Sequence, residues 1–307
     1  MAALVKSQMP LEVTSTFLES VVGWVRCAAA AVFYFSTILV INIAQTLSLL
    51  ILPFSRTAFR RFNRLCADAW WGWCVTGAER IYGVEPVFSG DEVPSGENVL
   101  IFANHQQMPD ILVVMMLAAR KKRLGDLKWF VKDPLKYVPG IGWGMQFLDC
   151  IFVKRDWLAD KKKIYATFEK FQKHQIPIWL ITFVEGTRIT PAKLEKSQTY
   201  CKRKGMPHLD HVMYPRTRGF TAALEGLEGH IDAVYDITIG YEGGVPRLHH
   251  VFRGLVKKVF IDVRRFPVAN LPKDEAARAQ WLQDRFARKD ALLRGFFSTG
   301  RFDPSHC

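Results

Sequence analysis

Charge is missing from one long stretch of this 307-residue chain. Residues 27–52 contain no Asp, Glu, Lys or Arg, and Val, Ile, Leu, Phe and Ala dominate there. Cys-x-x-Cys pairs are missing as well. The six cysteines, Cys27, Cys66, Cys74, Cys150, Cys201 and Cys307, are scattered, which argues against a zinc ribbon or a thioredoxin-type site. They read as reduced thiols in a cytosolic catalytic part. No Gly-x-Ser-x-Gly elbow is present, so a hydrolase using a histidine, an acid and a serine has no evident exposed nucleophile. No His-Glu-x-x-His pairing supports a metal site, and none is expected. Neither an internal repeat nor a low-complexity linker interrupts the chain. The net charge of +13 suits anionic partners, but no recognisable nucleic-acid-binding motif accompanies it. Anionic lipid and phosphorylated small molecules remain as partners.

As a helix, the uncharged run would be about 39 Å long, more than the roughly 30 Å of bilayer hydrocarbon. Asn42 and Gln45 near its midpoint need partners, whether the run crosses the membrane or bends back as a hairpin. The polar residues before it and the lack of a small-residue cleavage site argue against a removable signal peptide. Pro53 ends the run. Arg56, Arg60, Arg61 and Arg64 follow, against Lys6 and Arg26 before it, which puts the bulk of the protein on the cytoplasmic side. Residues 56–82 interleave these arginines with Phe59, Phe62, Leu65, Trp70, Trp71 and Trp73. Such a helix either lies among lipid headgroups or docks on the soluble domain, and the two are compatible. The expected division is a membrane-anchoring segment over residues 1–82 and a catalytic domain over 83–307.

After a turn-rich loop at 90–96, apolar runs of strand length alternate with helical patterns. Strands are expected at 99–103, 128–131, 150–153, 176–183, 212–214, 234–240 and 259–263, and helices at 111–120, 157–173, 219–225 and 273–297. This is the signature of one α/β domain with a mostly parallel or mixed sheet flanked by helices. The first strand ends in a polar turn holding Asn104 and His105, and a helix begins near Asp110. An acid at a helix N-terminus is stabilised in its ionised form by free N–H groups and the dipole. Beside it, an imidazole can give its Nδ1–H to the carboxylate and keep Nε2 free to take a proton. That is the minimum equipment for activating a hydroxyl.

Three further polar clusters close strands or turns. Phe152-Val-Lys154-Arg155 presents two adjacent cations after an apolar strand. Phe183-Val-Glu185-Gly186-Thr187-Arg188 follows the most apolar strand. There Gly186 lets backbone approach a ligand, Thr187 offers a hydroxyl, Arg188 can grip phosphate bidentately, and Glu185 could orient the arginine or a substrate hydroxyl. Tyr214-Pro215-Arg216-Thr-Arg218-Gly219 is a bounded turn carrying cations.

Together, the His-x4-Asp form of 105–110, the Phe-x-Glu-Gly-Thr-Arg form of 183–188, and the intervening Phe152-x-Lys154-Arg155 and later Tyr214-Pro215-Arg216 resemble the glycerolipid acyltransferases, which include the 1-acylglycerol-3-phosphate acyltransferases. Four motifs stand in the family's order over about residues 98–241. Lys154-Arg-Asp-Trp157, Val184 before Glu185, and the wording around Pro215 look most like the branch of bacterial YihG-type and eukaryotic lysocardiolipin acyltransferases. No second long apolar span follows, which favours the bacterial form and hence a bacterial inner membrane with the catalytic domain on its cytoplasmic face. The resemblance implies His105 as general base oriented by Asp110. It also implies an acyl-CoA or acyl carrier protein thioester as co-substrate, with no cofactor. Lysophosphatidic acid is the implied acceptor, with another lysophospholipid as the alternative. Lys154, Arg155 and Arg188 would hold the acceptor's phosphate, Asn104, Glu185, Gly186 and Thr187 would shape the site, and Pro215 and Arg216 would face the donor or headgroup. A basic membrane-surface protein that only binds anionic lipid is the non-enzymatic alternative.

Overall fold

In the computed structural model, residues 10–154 and 156–302 are described. Arg155, Lys6 and Cys307 therefore lie outside the described residues. The first helix, α1 (Phe17–Leu47), starts ten residues before the uncharged run, because Thr16 and Glu19 form a reciprocal capping box at its N-terminus. With the short turn that follows, Phe17–Leu50 is long and apolar enough to cross a membrane. Helix α2 (Arg56–Thr76) is capped by Ser55.

Seven strands follow: β1 (Glu85–Gly90), β2 (Val99–Ala103), β3 (Leu127–Lys132), β4 (Ile151–Val153), β5 (Trp179–Thr182), β6 (Ala233–Tyr241) and β7 (Lys258–Pro267). Their spatial order is β1-β7-β6-β2-β5-β3-β4. The run β6-β2-β5-β3-β4 is parallel throughout, while β7 is antiparallel to β6 and β1 follows β7. The sheet is thus mixed, and the ends of five parallel strands share one edge. Between and after the strands run α3 (Pro109–Arg120), α4 (Ile141–Phe147), α5 (Trp157–Lys173), α6 (Pro191–Lys204), α7 (Thr217–Gly226), α8 (Leu248–Phe252) and α9 (Glu275–Thr299).

Strand side chains alternate between two faces. Val99, Ile101, Ala103, Ile237 and Ile239 pack with α2 and α3 on one face. Leu100, Phe102 and Val234 pack with α5, α7 and α9 on the other. Helix α2 docks on the domain through buried Ala67, Trp70, Trp71 and Val75 while Leu65 and Trp73 stay exposed.

The segment 212–214 is not a strand. Its neighbourhood spends its amides elsewhere: the Asp290 carboxylate of α9 accepts from the N–H groups of Asp210, His211 and Val212 at 2.8, 2.6 and 3.3 Å. Strand β1 and helix α6 go beyond the expected elements. β1 is a half-exposed edge strand containing Pro86, Ser89 and Gly90, with little apolar signal. Helix α6 buries only Leu194 and Cys201, although Thr190 as N-cap before Pro191 is a start signal visible in sequence.

Candidate active site

The loops after β2, β5 and β6 meet at the shared sheet edge, where open α/β sheets place their ligands. Backbone φ/ψ turns helical at Met108, Pro109 occupies the first turn of α3, and Asp110 points back at the loop it has just left. Its side chain is fully buried. One carboxylate oxygen, Oδ2, accepts from the N–H groups of Gln106 and Gln107 at 2.6 and 2.8 Å and lies 2.9 Å from His105 Nδ1. The other, Oδ1, accepts from the Tyr241 hydroxyl at 2.6 Å. A carboxylate surrounded by donors fixes His105 Nδ1 as the proton-bearing nitrogen and leaves Nε2 as the acceptor. The imidazole stacks on Phe183, with ring centroids 4.0 Å apart, and keeps a small opening to solvent.

Tyr241 was not among the expected site residues. It ends β6, whose alternate residues face α3, so its ring reaches the start of that helix. Burial, reinforced by the adjacent Asp110, pushes its hydroxyl well above the ordinary tyrosine range. It therefore remains a donor to Asp110.

Glu185 does something other than orienting Arg188. Its two oxygens accept from backbone N–H groups, His105 at 2.7 Å and Met213 at 2.9 Å, so one carboxyl ties together three loops. Burial pushes its acid up to about 8, against the pull of those two hydrogen bonds. Asn104 is likewise occupied. Its amide donates to Ile239 O at 3.0 Å and accepts from Ile239 N at 2.8 Å, fixing the turn to β6. Gln106 adds a second donor to Ile239 O at 2.7 Å.

Arg188 is exposed and is steered by Gln107, whose Oε1 accepts at 2.5 Å. Backbone continues the tie, with Ile189 N donating to His105 O at 2.9 Å. Thr187 accepts from Lys193 Nζ at 2.8 Å, which leaves that hydroxyl partly engaged. Gly186 has φ +74°, and a Cβ there would meet the Arg216 guanidinium at 2.9 Å, so glycine is required both for the turn and for the close approach. Pro215 is buried while Arg216 is exposed, its N–H bonded to Val184 O at 2.7 Å. Lys154 lies exposed after β4 on the same edge, three strands and about 14 Å along the sheet from β2. The structure thus gathers His105, Asp110, Glu185, Gly186, Thr187, Arg188, Pro215 and Arg216, and sets Lys154 at the far side of the edge.

An imidazole held by a buried acid, with exposed cations beside it, has the parts that deprotonating a hydroxyl on an anionic substrate requires. Comparison with known proteins fits that chemistry. The acyltransferase family model matches residues 85–238, and an acyltransferase C-terminus model matches 250–307. The chain belongs to the acyltransferase family. It is 35% identical over 247 residues to the probable 1-acyl-sn-glycerol-3-phosphate acyltransferase 5 of Arabidopsis thaliana, covering 79% of this chain and 66% of that one. It is 33% identical to 1-acyl-sn-glycerol-3-phosphate acyltransferase 3 of the same plant, covering 86% and 72%. The Homo sapiens 1-acyl-sn-glycerol-3-phosphate acyltransferase gamma is 33% identical, with 87% and 74% covered. The crystal structure of the acyltransferase PlsC from Thermotoga maritima shares the fold, with a TM-score of 0.53 at 16% identity over 90% of this chain and 95% of that one. The acyltransferase match begins at the first residue of β1, so the edge strand that sequence patterning passes over belongs to the family's domain.

Proposed function

We propose that this acyltransferase moves a fatty acyl group from a thioester donor to the free hydroxyl of lysophosphatidic acid, giving phosphatidic acid. The His105–Asp110 contact of 2.9 Å carries this reading. Asp110 holds the Nδ1–H. Nε2 takes the acceptor's hydroxyl proton as that oxygen attacks the thioester carbonyl, and collapse of the tetrahedral intermediate breaks the C–S bond and expels the sulfur, which takes that proton back from His105 and leaves as a thiol. A positioned base of this kind contributes about 10²- to 10⁴-fold in rate. Arg188, steered by Gln107, is the cation nearest the base in the hydrogen-bond network and is assigned to the acceptor's phosphate. Lys154 extends that role along the edge, Arg155 is assigned to the same phosphate on the motif alone, and Arg216 over Gly186 is assigned to the donor or headgroup. The donor is coenzyme A or acyl carrier protein linked.

Residues 1–82 are assigned to membrane anchoring. The inner face of α1 is docked along its length, at Gly23 against Arg253, at Tyr34 stacked on Phe252 and at Asn42 against Gly140, while Val32, Phe35, Val40, Ile43, Leu47 and Leu50 face outward. Asn42 and Gln45 bond each other on the docked face, so no unpaired amide faces lipid. The arginines of α2 favour the cytoplasmic side. The YihG-type branch is supported by the residues around Lys154, Val184 and Pro215, and a bacterial inner membrane by the lack of a second long apolar span in the sequence, beside relatives that are plant and mammalian.

The test is acyl transfer by the detergent-solubilised protein from one long-chain acyl-CoA to lysophosphatidic acid, lysophosphatidylglycerol, lysocardiolipin and glycerol 3-phosphate, with His105→Ala alongside. Transfer to lysophosphatidic acid above the others, lost in the variant, is expected. Preference for another lysophospholipid would move the role to phospholipid remodelling. Silence with both acyl-CoA and acyl carrier protein donors would overturn the enzymatic reading.

A further inference from the structure

The connection from β3 to α4 carries an apolar surface that the chemistry above does not use. Within nine residues, Leu135, Tyr137, Val138, Ile141 and Trp143 are all exposed, Tyr137 to 72%. The backbone beneath them is tightly built. Val138 N donates to Leu135 O at 3.0 Å, Gln146 donates to Lys136 O at 2.7 Å, and a Cβ on Gly142 would strike Leu135 O at 1.8 Å. The segment is therefore held with its apolar side chains outward, at a cost no soluble surface would favour.

Two relationships identify what covers it. First, the loop is continuous with α1. Asn42 Oδ1 accepts from Gly140 N at 3.0 Å, and Ile38 packs against Gly140. The patch thus lies beside Ile38 and Asn42 of the anchor helix, whose Val40, Ile43 and Leu47 are exposed. Second, its composition is that of a membrane interface. Tyr137 and Trp143 are amphipathic aromatics, and exposed Lys132 flanks the patch. Lys136 lies 4.9 Å from the Tyr137 ring centroid and pairs with Asp133, the one acid in 132–143. The loop leaves the C-terminal end of β3, about 10 Å along the sheet from the end of β2 and His105.

We propose that residues 135–143 are a second membrane-contacting element, inserted in the same leaflet as the outer face of α1. They set the lipid surface level with the catalytic edge, so that a lysophospholipid passes from the leaflet to His105 without crossing water. This rests on the assignment of α1 to membrane anchoring. The partner is a phospholipid bilayer surface bearing anionic headgroups.

The experiment uses the full chain in phosphatidylcholine/phosphatidylglycerol vesicles with and without bromine on the acyl chains. Wild type, Trp143→Phe and Phe35→Trp are compared, each difference isolating one indole against the nine native tryptophans. Position 35 lies on the exposed face of α1 and reports the anchor. Quenching and a blue shift of the Trp143 contribution are expected. Quenching at position 35 with Trp143 unquenched and still red-shifted would overturn the proposal while leaving the anchor in place. Failure of both indoles to be quenched would overturn the anchor as well. A functional arm replaces Tyr137, Val138 and Trp143 together by Ser. KM for vesicle-embedded lysophosphatidic acid should rise by a factor of about 5 to 30, the effect of losing one or two kcal/mol. KM for a water-dispersed short-chain acceptor should stay unchanged. An equal rise for both acceptors would point to a folding defect and count against the proposal.

Discussion

The Tyr241 hydroxyl donates to Asp110 Oδ1 at 2.6 Å, on the opposite oxygen from the one facing His105. The last residue of a central strand therefore helps to fix the acid that holds His105. Tyr241→Phe removes one donor and adds no bulk. Asp110 is then fixed through one oxygen only and His105 is oriented less well, so kcat should fall by roughly ten- to a hundredfold with little change in KM. A rise in KM for either substrate with kcat unchanged would show that Tyr241 acts on binding and not through Asp110 and His105.

Asp110→Asn keeps the side chain's size and removes its charge. The amide can still accept from one side, but it no longer favours Nδ1–H over the other tautomer. Transfer should drop by about 10²- to 10⁴-fold, comparable to His105→Ala. The double variant should be no worse than either single one, because the pair works as a unit. Additive losses measured by single-turnover kinetics would contradict that.

Arg188 is exposed and reaches the site through Gln107. Arg188→Ala should raise KM for the phosphorylated acceptor far more than for the acyl donor, and Gln107→Ala should do so to a smaller degree. Equal losses for both substrates would assign the arginine to structure. Initial-rate kinetics with each substrate varied in turn gives the comparison.

The His105–Asp110 pair was legible because its geometry is local: strand, turn and helix start place two residues five apart in contact. The work of Glu185 was hidden because its partners are backbone N–H groups 80 and 28 residues distant, and backbone leaves no mark in a motif. Tyr241 lies 131 residues from Asp110, and only the register of β6 beside β2 brings it near. The alternation of strand and helix gave an α/β class that sheet pairing then resolved as mixed. What patterning could not distinguish was an apolar triplet in a strand from one such as 212–214, whose three N–H groups go to the side chains of Asp290, Glu185 and Ser197.

Glu185 should write itself into the pH dependence of stability. Its ordinary value is 4.5, and burial raises it to about 8 in the folded protein. The folded state thus binds a proton that the unfolded state has released. Its contribution to stability is fully present below about pH 4.5 and is lost as pH rises through about 8. Melting temperature, corrected for other groups by comparison with Glu185→Gln, should fall across that window in the wild type and be flatter in the variant. A wild-type slope of opposite sign would mean that the two backbone hydrogen bonds outweigh burial.

On the far face of the sheet, Lys289 of α9 is buried with its ammonium bonded to Asp236, to Ile237 O at 2.8 Å and to Thr238 Oγ1 at 2.9 Å, while Arg285 donates to the second oxygen of Asp236 at 2.9 Å. These contacts fasten the C-terminal helix to the middle of β6, the strand that carries Tyr241 at its end. Lys289→Met fills the same volume and removes the charge, leaving Asp236 with Arg285 alone. Breaking a buried pair in this way costs about 3–5 kcal/mol, because the remaining carboxylate is undercompensated. Denaturant unfolding should report that loss. Replacing Asp236, Lys289 and Arg285 together by apolar residues should restore much of it, since the desolvation cost of all three charges disappears with them. If the single variant unfolds like the wild type, the cluster contributes no net stability. The position of β6, and of the Tyr241 hydroxyl at its end, is then set by the sheet alone.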